Sequence, residues 1–145
     1  MVIQNLAGKT VFLDTAPLIY FIEGHGTYQT ALARFFKFND DGGFTLLTTT
    51  ITLPEVLVKP LREGNVAVAQ QYRDVLTSAP NIEILDVSTS IAETAAHLRA
   101  TYSLKTPDSI QLAAALEAGA DYFLTNDLKL KAVTGIAVVG VSESS

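Results

Sequence analysis

The sequence predicts a three-layer α/β/α sandwich around a mostly parallel five-stranded sheet, and three observations predict it. Short apolar runs alternate with segments of helical periodicity along the whole chain, which is the order of a β-α-β build. Those runs are rich in Val, Ile, Leu and Phe, as suits strands covered by helices on both faces. Finally, 48% of the 145 residues are hydrophobic and only 17% charged, where about 25% charged is usual. That balance excludes intrinsic disorder, and the length fits one domain spanning 1–145.

TVFL at 10–13 is a short apolar run ending at Asp14, fit for a buried strand. Pro17 suits a helix start, and the helix continues to Gly24. Tyr28, Leu32, Phe35 and Phe36 fall at helical spacing until Asp40, Asp41, Gly42 and Gly43 stop them. Residues 44–50 are rich in β-branched side chains and read as the second strand. A helix starts near Thr52, is disturbed at Pro60 and ends by Gly64. Val68, Tyr72, Val75 and Leu76 mark another, closed by Pro80, and 82–85 is the third strand. Ile91, Ala95, Leu98 and Tyr102 form one helical face. Thr106-Pro107-Asp108 opens a helix to Gly119 that is apolar nearly all round and so buried. Residues 122–124 make the fourth strand, a helical turn follows Asp127, and 136–141 is the fifth. The SESS tail is expected to fray.

Several function classes are excluded at once. No apolar run reaches the roughly 18 residues of a membrane span; the best stretch, 44–57, contains five threonines, Pro54 and Glu55. The opening MVIQNLAGKT lacks the pattern of a signal peptide. Without cysteine there is no disulfide framework, thiolate zinc site or thiol nucleophile. His25 and His97 are isolated, so a histidine-rich metal site is also out. With 10 basic and 15 acidic residues the net charge is −5, which argues against broad affinity for phosphate backbones. It leaves room for an enzyme that meets phosphate through bound cations, because a metal reverses the local sign.

Four acids sit at element junctions: Asp14, Glu55, Asp108 and Asp127. Each has a purely local reading. Asp14 and Asp127 can cap helices, Glu55 can complete a T-x-x-E capping box with Thr52, and Asp108 can complement a helix dipole. Together they ask for more. Strand-to-helix junctions of a parallel sheet share its carboxyl edge, which gathers Asp14, Glu55 and Asp127. The buried helix reaches the fourth strand through Gly119 and Ala120 alone, so it runs antiparallel to that strand and returns Asp108 to the same edge. Open α/β sheets bind ligands there. Two carboxylates at 4 Å repel by about 4 kcal/mol at an effective dielectric of 20. A hard divalent cation is their natural counter-charge, and all-oxygen ligation suits Mg²⁺ or Mn²⁺.

Four blocks carry a family likeness: FLDTAPLIYFIE (12–23), TITLPEVLVKPLREG (50–64), LKTPDSIQLAAALEAG (104–119) and DYFLTNDLKL (121–130). In that order and spacing the sequence resembles a PIN-domain ribonuclease, most closely the VapC type of toxin from toxin–antitoxin pairs. The resemblance implies that Asp14, Glu55, Asp108 and Asp127 form a catalytic acidic site, with Thr125 at the family's hydroxyl position before the last acid. It implies an RNA substrate, Mg²⁺ or Mn²⁺ held by Asp14, Asp108 and Asp127, and products bearing a 5′-phosphate and a 3′-hydroxyl. Glu55 then orients or deprotonates the attacking water, or joins the ligands, while Thr125 holds a carboxylate or water. A homodimer, a cytoplasmic setting and a small antitoxin partner follow from the same likeness.

Other readings compete. A non-catalytic PIN interaction module predicts an eroded acid set, whereas all four acids are present. A stand-alone PIN nuclease would differ only in lacking an antitoxin. A phosphoacceptor receiver needs paired acids after its first strand and an acceptor after its third; Asp14 stands alone, and Asp86 lacks companions. Lys59 and Arg62 are read either as phosphate contacts or, for Lys59, as an i,i+4 partner of Glu55. Phe35, Phe36 and Phe38 are expected in core or dimer contacts rather than stacking bases. Gly42-Gly43 is a turn and not a phosphate loop, since no G-K-[ST] follows.

Overall fold

The computed structural model describes residues 3–143. Five strands form one sheet in the order β3-β2-β1-β4-β5: β1 (Thr10–Leu13), β2 (Thr45–Thr49), β3 (Ile82–Leu85), β4 (Tyr122–Thr125) and β5 (Ala137–Gly140). Every pairing is parallel. The helices are α1 (Thr15–Glu23), α2 (Gln29–Asp40), α3 (Thr52–Arg62), α4 (Val66–Ser78), α5 (Thr89–Tyr102) and α6 (Thr106–Glu117). Short 3-10 turns occupy Ile3–Leu6, Leu128–Ala132 and Val141–Glu143.

The register explains why the central strand β1 is apolar on both faces. Phe12 stands opposite Leu47 on one side and Phe123 on the other, and these three side chains share a face. They pack against Ile91, Ala95 and Leu112 from α5 and α6, with the Phe12 and Phe123 rings stacked at 5.6 Å. Val11, Leu13, Leu46 and Leu124 point the other way, into Leu18, Leu32, Phe35, Val56 and Tyr72 from α1 to α4. Two helix layers thus sandwich the sheet, and each buried Leu or Phe contributes about 1.5–3 kcal/mol of apolar burial.

Three local expectations are corrected. α3 ends before Gly64 as expected but runs through Pro60 to Arg62 without the expected disturbance; the proline sits in the last turn, where its missing N–H costs a single bond. In the tail, Ser142 and Glu143 belong to a 3-10 turn rather than fraying, while Ser144 and Ser145 lie outside the described residues. β4 extends one residue further than its apolar run, to Thr125, because that threonine pairs with Gly140 of β5. The phenylalanines fall as expected: Phe35 and Phe36 are buried in the core, and Phe38 packs partly buried against it.

One feature of the topology positions the site. From β1 the chain proceeds outward to β2 and β3, then crosses back over α5 and α6 to β4 on the other side of β1. The connections therefore diverge between β1 and β4, and a crevice opens beyond the carboxyl ends of those two strands.

Candidate active site

That crevice is a cleft of about 310 Å³ lined by Asp14, Thr15, Glu55, Asp108, Thr125 and Asp127, among others. All four acids singled out from the sequence reach it, each from a different element. Asp14 directly follows β1, Glu55 lies in the first turn of α3, Asp108 in the first turn of α6, and Asp127 just beyond β4. Asp14 is held on both oxygens: Oδ1 accepts from the Thr15 backbone N–H at 2.8 Å, and Oδ2 from the Thr125 hydroxyl at 2.7 Å. Thr125 Oγ1 in turn accepts from the Asp127 N–H at 3.0 Å, joining the first acid to the last. Asp127 Oδ1 accepts from the Lys129 N–H at 3.1 Å. Capping and lining the cleft are thus compatible roles for Asp14 and Asp127.

Glu55 behaves differently from its local reading. The residue before α3 is Ile51, which provides no side-chain cap, and Thr52 already lies inside the helix. Instead of returning to Thr52, the Glu55 carboxylate accepts from the Thr15 hydroxyl, at 2.7 Å from Oε1. The capping box is therefore not formed, because both of its members have tertiary partners. Lys59 is corrected too. Its ammonium lies 3.5 Å from Glu23, which also accepts from the Tyr72 hydroxyl, so Lys59 pairs away from Glu55.

Two residues in the supporting structure escape a reading of single elements. Thr15 is one; its only sequence signal is a hydroxyl directly after Asp14. Gln111 is the other, buried in a helix that otherwise reads as apolar. Its Nε2 donates to Thr52 Oγ1 at 2.8 Å, and its Oε1 accepts from Thr49 at 2.7 Å. Thr48 donates to the Leu13 carbonyl at 3.0 Å, so the 2.7 Å contact between Thr48 and Thr52 must have Thr52 as donor. This satisfied chain ties the end of β1, the end of β2, the start of α3 and the middle of α6. Three of the four acids project from the segments it locks together.

The electrostatics record the crowding. Burial, above all, pushes the Asp14 carboxyl above its ordinary value; hydrogen bonds from Thr125 and Thr15 oppose the shift, and the charges of Glu55 and Asp127 add to it. Burial likewise raises Asp108, reinforced by Asp14 and Asp127 and opposed by Lys105. Among the described residues the ion pairs are Lys37–Asp41 and Lys59–Glu23, and neither neutralises these acids. A larger cavity of about 360 Å³ lies against α2 and α4, lined by Phe21, Phe36, Val75 and Ile82, but it gathers no comparable reactive groups. His97 is exposed, and the His25 ring packs between Tyr20 and Tyr28.

The family profile described as PIN domain matches residues 11–136, which include every acid of the cleft. The chain belongs to the PIN-domain family. No curated protein matches this PIN domain. Among solved structures it is similar to the sarcin-ricin loop cleaving toxin VapC20 of Mycobacterium tuberculosis, at 13% identity and TM-score 0.71, covering 87% of this chain and 96% of that one. A toxin-antitoxin complex from Klebsiella pneumoniae matches at 24% identity and TM-score 0.68, covering 92% and 98%. VapBC2 of Rickettsia felis, bound to a DNA fragment from its promoter, matches at 16% and 0.70, covering 90% and 98%. At these identities the likeness establishes the fold. No helix among the described residues is long and apolar enough to cross a membrane.

The donor set of this PIN domain fits a hard divalent cation. All its candidate ligands are carboxylate oxygens, and Asp14 and Asp108 are already disfavoured as anions by burial and by neighbouring carboxylates. Among the described residues no three acids form a ready-made cage; Asp14, Glu55 and Asp127 are each oriented by a hydrogen bond, from Thr125, Thr15 and the Lys129 N–H respectively. Removing one of these holds should matter for function more than for folding. Thr15→Val keeps the shape but frees Glu55, so a roughly 10-fold to 100-fold fall in activity is expected with little change in melting temperature. An activity assay beside a thermal melt checks it, and full activity in the variant would remove Thr15 from the site.

Proposed function

We propose that this protein is a Mg²⁺- or Mn²⁺-dependent endoribonuclease, acting as a single domain over 1–145, and the toxin of a toxin–antitoxin pair. The observation that carries the reading is the convergence of four carboxylates, from four separate elements, on one cleft at the divergence of β1 and β4. Asp14, Asp108 and Asp127 hold the cation. When bound, it supplies charge neutralisation at the scissile phosphodiester and lowers the pKa of a water. Thr125 fixes the Asp14 carboxylate in place. With Oε1 of Glu55 held by the Thr15 hydroxyl, Oε2 is left to orient the water and accept its proton. In-line attack then gives a 5′-phosphate and a 3′-hydroxyl.

An acidic cleft on a chain of net charge −5 also suits a basic inhibitory segment. A small antitoxin, with an Arg or Lys side chain entering the cleft, is the partner this surface fits. Homodimerisation and a cytoplasmic setting belong to the same reading.

The test is direct. Freed of any partner, the protein should cleave RNA in Mg²⁺ or Mn²⁺ and stop in EDTA; cleavage that persists in chelator sinks the metal-dependent reading. Glu55→Gln separates chemistry from architecture. Its Oε1 still accepts from Thr15, so the melting temperature should hold, while loss of the base lowers turnover about 10²-fold to 10⁴-fold. Full turnover in that variant would take Glu55 out of the reaction.

A further inference from the structure

Beside the acid cleft a second one, of about 170 Å³, opens between the start of α6 and the turn after β4. Asp108 and Asp127 line both, so the two clefts adjoin at these carboxylates. Across that junction the chemistry changes. The apolar lining of the second cleft comes from Tyr102 and Leu104, both partly buried, and from Ala132, exposed, with the buried Leu130 and Val133 behind them. Lys105 and Lys129 also line it and are exposed. Lys105 lies near enough to Asp108 to favour its charged form, yet neither ammonium makes an ion pair among the described residues. Lys37 and Lys59, by contrast, are both paired.

The backbone supports the arrangement. Ser103, also in the cleft wall, has φ 57° and is the one non-glycine among the described residues with positive φ. It is the left-handed C-cap of α5, with its N–H donating to the Arg99 carbonyl at 2.9 Å, a common way for a helix to end. Here it turns the chain sharply out of α5, so that Lys105 stands at the head of α6 beside the acids.

Apolar lining and unpaired ammonium groups together match a nucleotide, whose sugar and base want the former and whose phosphate wants the latter. We propose that this second cleft is a nucleotide subsite for the RNA substrate. It takes the residue adjoining the scissile bond, with that residue's own phosphate between Lys105 and Lys129. The inference rests on the nuclease reading above. The junction acids set where cleavage occurs, and the lysines supply an attraction that the acidic cleft alone cannot give to a polyanion.

The test compares the wild type with Lys105→Gln/Lys129→Gln and with a charge-matched control, Lys9→Gln/Arg34→Gln, whose residues line neither cleft. The probes are total bacterial RNA at limiting concentration in Mn²⁺ for cleavage, and a fluorescent random-sequence 30-nucleotide RNA in Ca²⁺ for binding. The double variant should lose about tenfold in kcat/KM, and its slope of log affinity against log salt should fall by about 0.7, one phosphate on a single strand. Its Mn²⁺-induced gain in melting temperature should match wild type, and Arg at both positions should restore cleavage. Equal losses in the control, or an unchanged rate and slope in the double variant, would overturn the subsite and leave the nuclease reading standing. A wild type that cuts no RNA in Mn²⁺ would overturn both.

Discussion

Asp14→Asn is expected to lower metal-dependent RNA cleavage by about a thousandfold, equivalent to about 4 kcal/mol of transition-state stabilisation, while the chain stays folded. Asp14 sits where β1 ends, at the divergence of the sheet's connections, and both of its oxygens are already oriented by Thr15 and Thr125. Asparagine fills the same volume and keeps the bond from the Thr15 N–H. The Thr125 hydroxyl, which also accepts from Asp127, loses a charged acceptor, at a net cost of about 1.5–3 kcal/mol before compensation. Against that stands relief of the burial and repulsion that raise the Asp14 carboxyl, so the net change in stability is small. What the variant cannot replace is the negative charge that a divalent cation needs. Circular dichroism melts establish folding, and cleavage of total RNA in Mn²⁺ measures the loss. A folded variant that retains a tenth of the wild-type rate would mean that Asp14 is a helix cap rather than a ligand.

Which parts of this architecture were legible in the sequence follows from how local their causes are. Strand β1 coincides with the apolar run at 10–13, because a strand covered on both faces is apolar and ends where polarity resumes; β3 matches 82–85 as well, although it lies at the sheet's edge and exposes Glu83. The acids were legible for a topological reason. Once the strands are parallel, every strand-to-helix junction lies on one edge, and the short connection after α6 returns Asp108 to it. The misread features are pairings across long separations. Thr52 and Glu55 satisfy a capping-box pattern, but Glu55 binds Thr15, 40 residues earlier, and Thr52 binds Gln111, 59 residues later. Lys59 has an acid four residues away and pairs with Glu23 instead. In each case a local bond, worth a few tenths of a kcal/mol for the Glu–Lys pair and about 1 kcal/mol for a cap, lost to a tertiary contact that periodicity cannot reveal. Gln111 is the sharpest instance. A helix apolar nearly all round leaves no cue that its one buried amide joins the strands to α3.

Asp108→Asn should leave the metal-free protein as stable as the wild type or more so, and should remove most of the stabilisation that Mn²⁺ confers. No hydrogen bond to the Asp108 side chain exists among the described residues, so the substitution breaks none. The folded state raises this carboxyl through burial and through the charges of Asp14 and Asp127, which outweigh the opposing charge of Lys105, so folding disfavours its anion. The sign of the pH dependence follows. A raised folded-state pKa contributes stability that is fully present below the unfolded value, near 3.8, and is lost as pH rises through the folded value. In EDTA the advantage of Asp108→Asn over wild type should therefore be largest at neutral pH and shrink as pH falls toward 3.8. Asp14 carries the same sign, so the wild-type metal-free protein itself gains from this cluster on mild acidification. Metal reverses the comparison. Mn²⁺ at a hundredfold excess over its dissociation constant should stabilise the wild type by about 2.7 kcal/mol, a rise in melting temperature of roughly 5–11 °C for a chain of this size. Without the Asp108 charge the variant should show only a small part of that rise. Thermal melts of both proteins across pH, with EDTA and with Mn²⁺, read all of these terms without knowledge of the substrate. A variant much less stable without metal, yet with the full Mn²⁺ response, would make Asp108 a helix-start residue and nothing more.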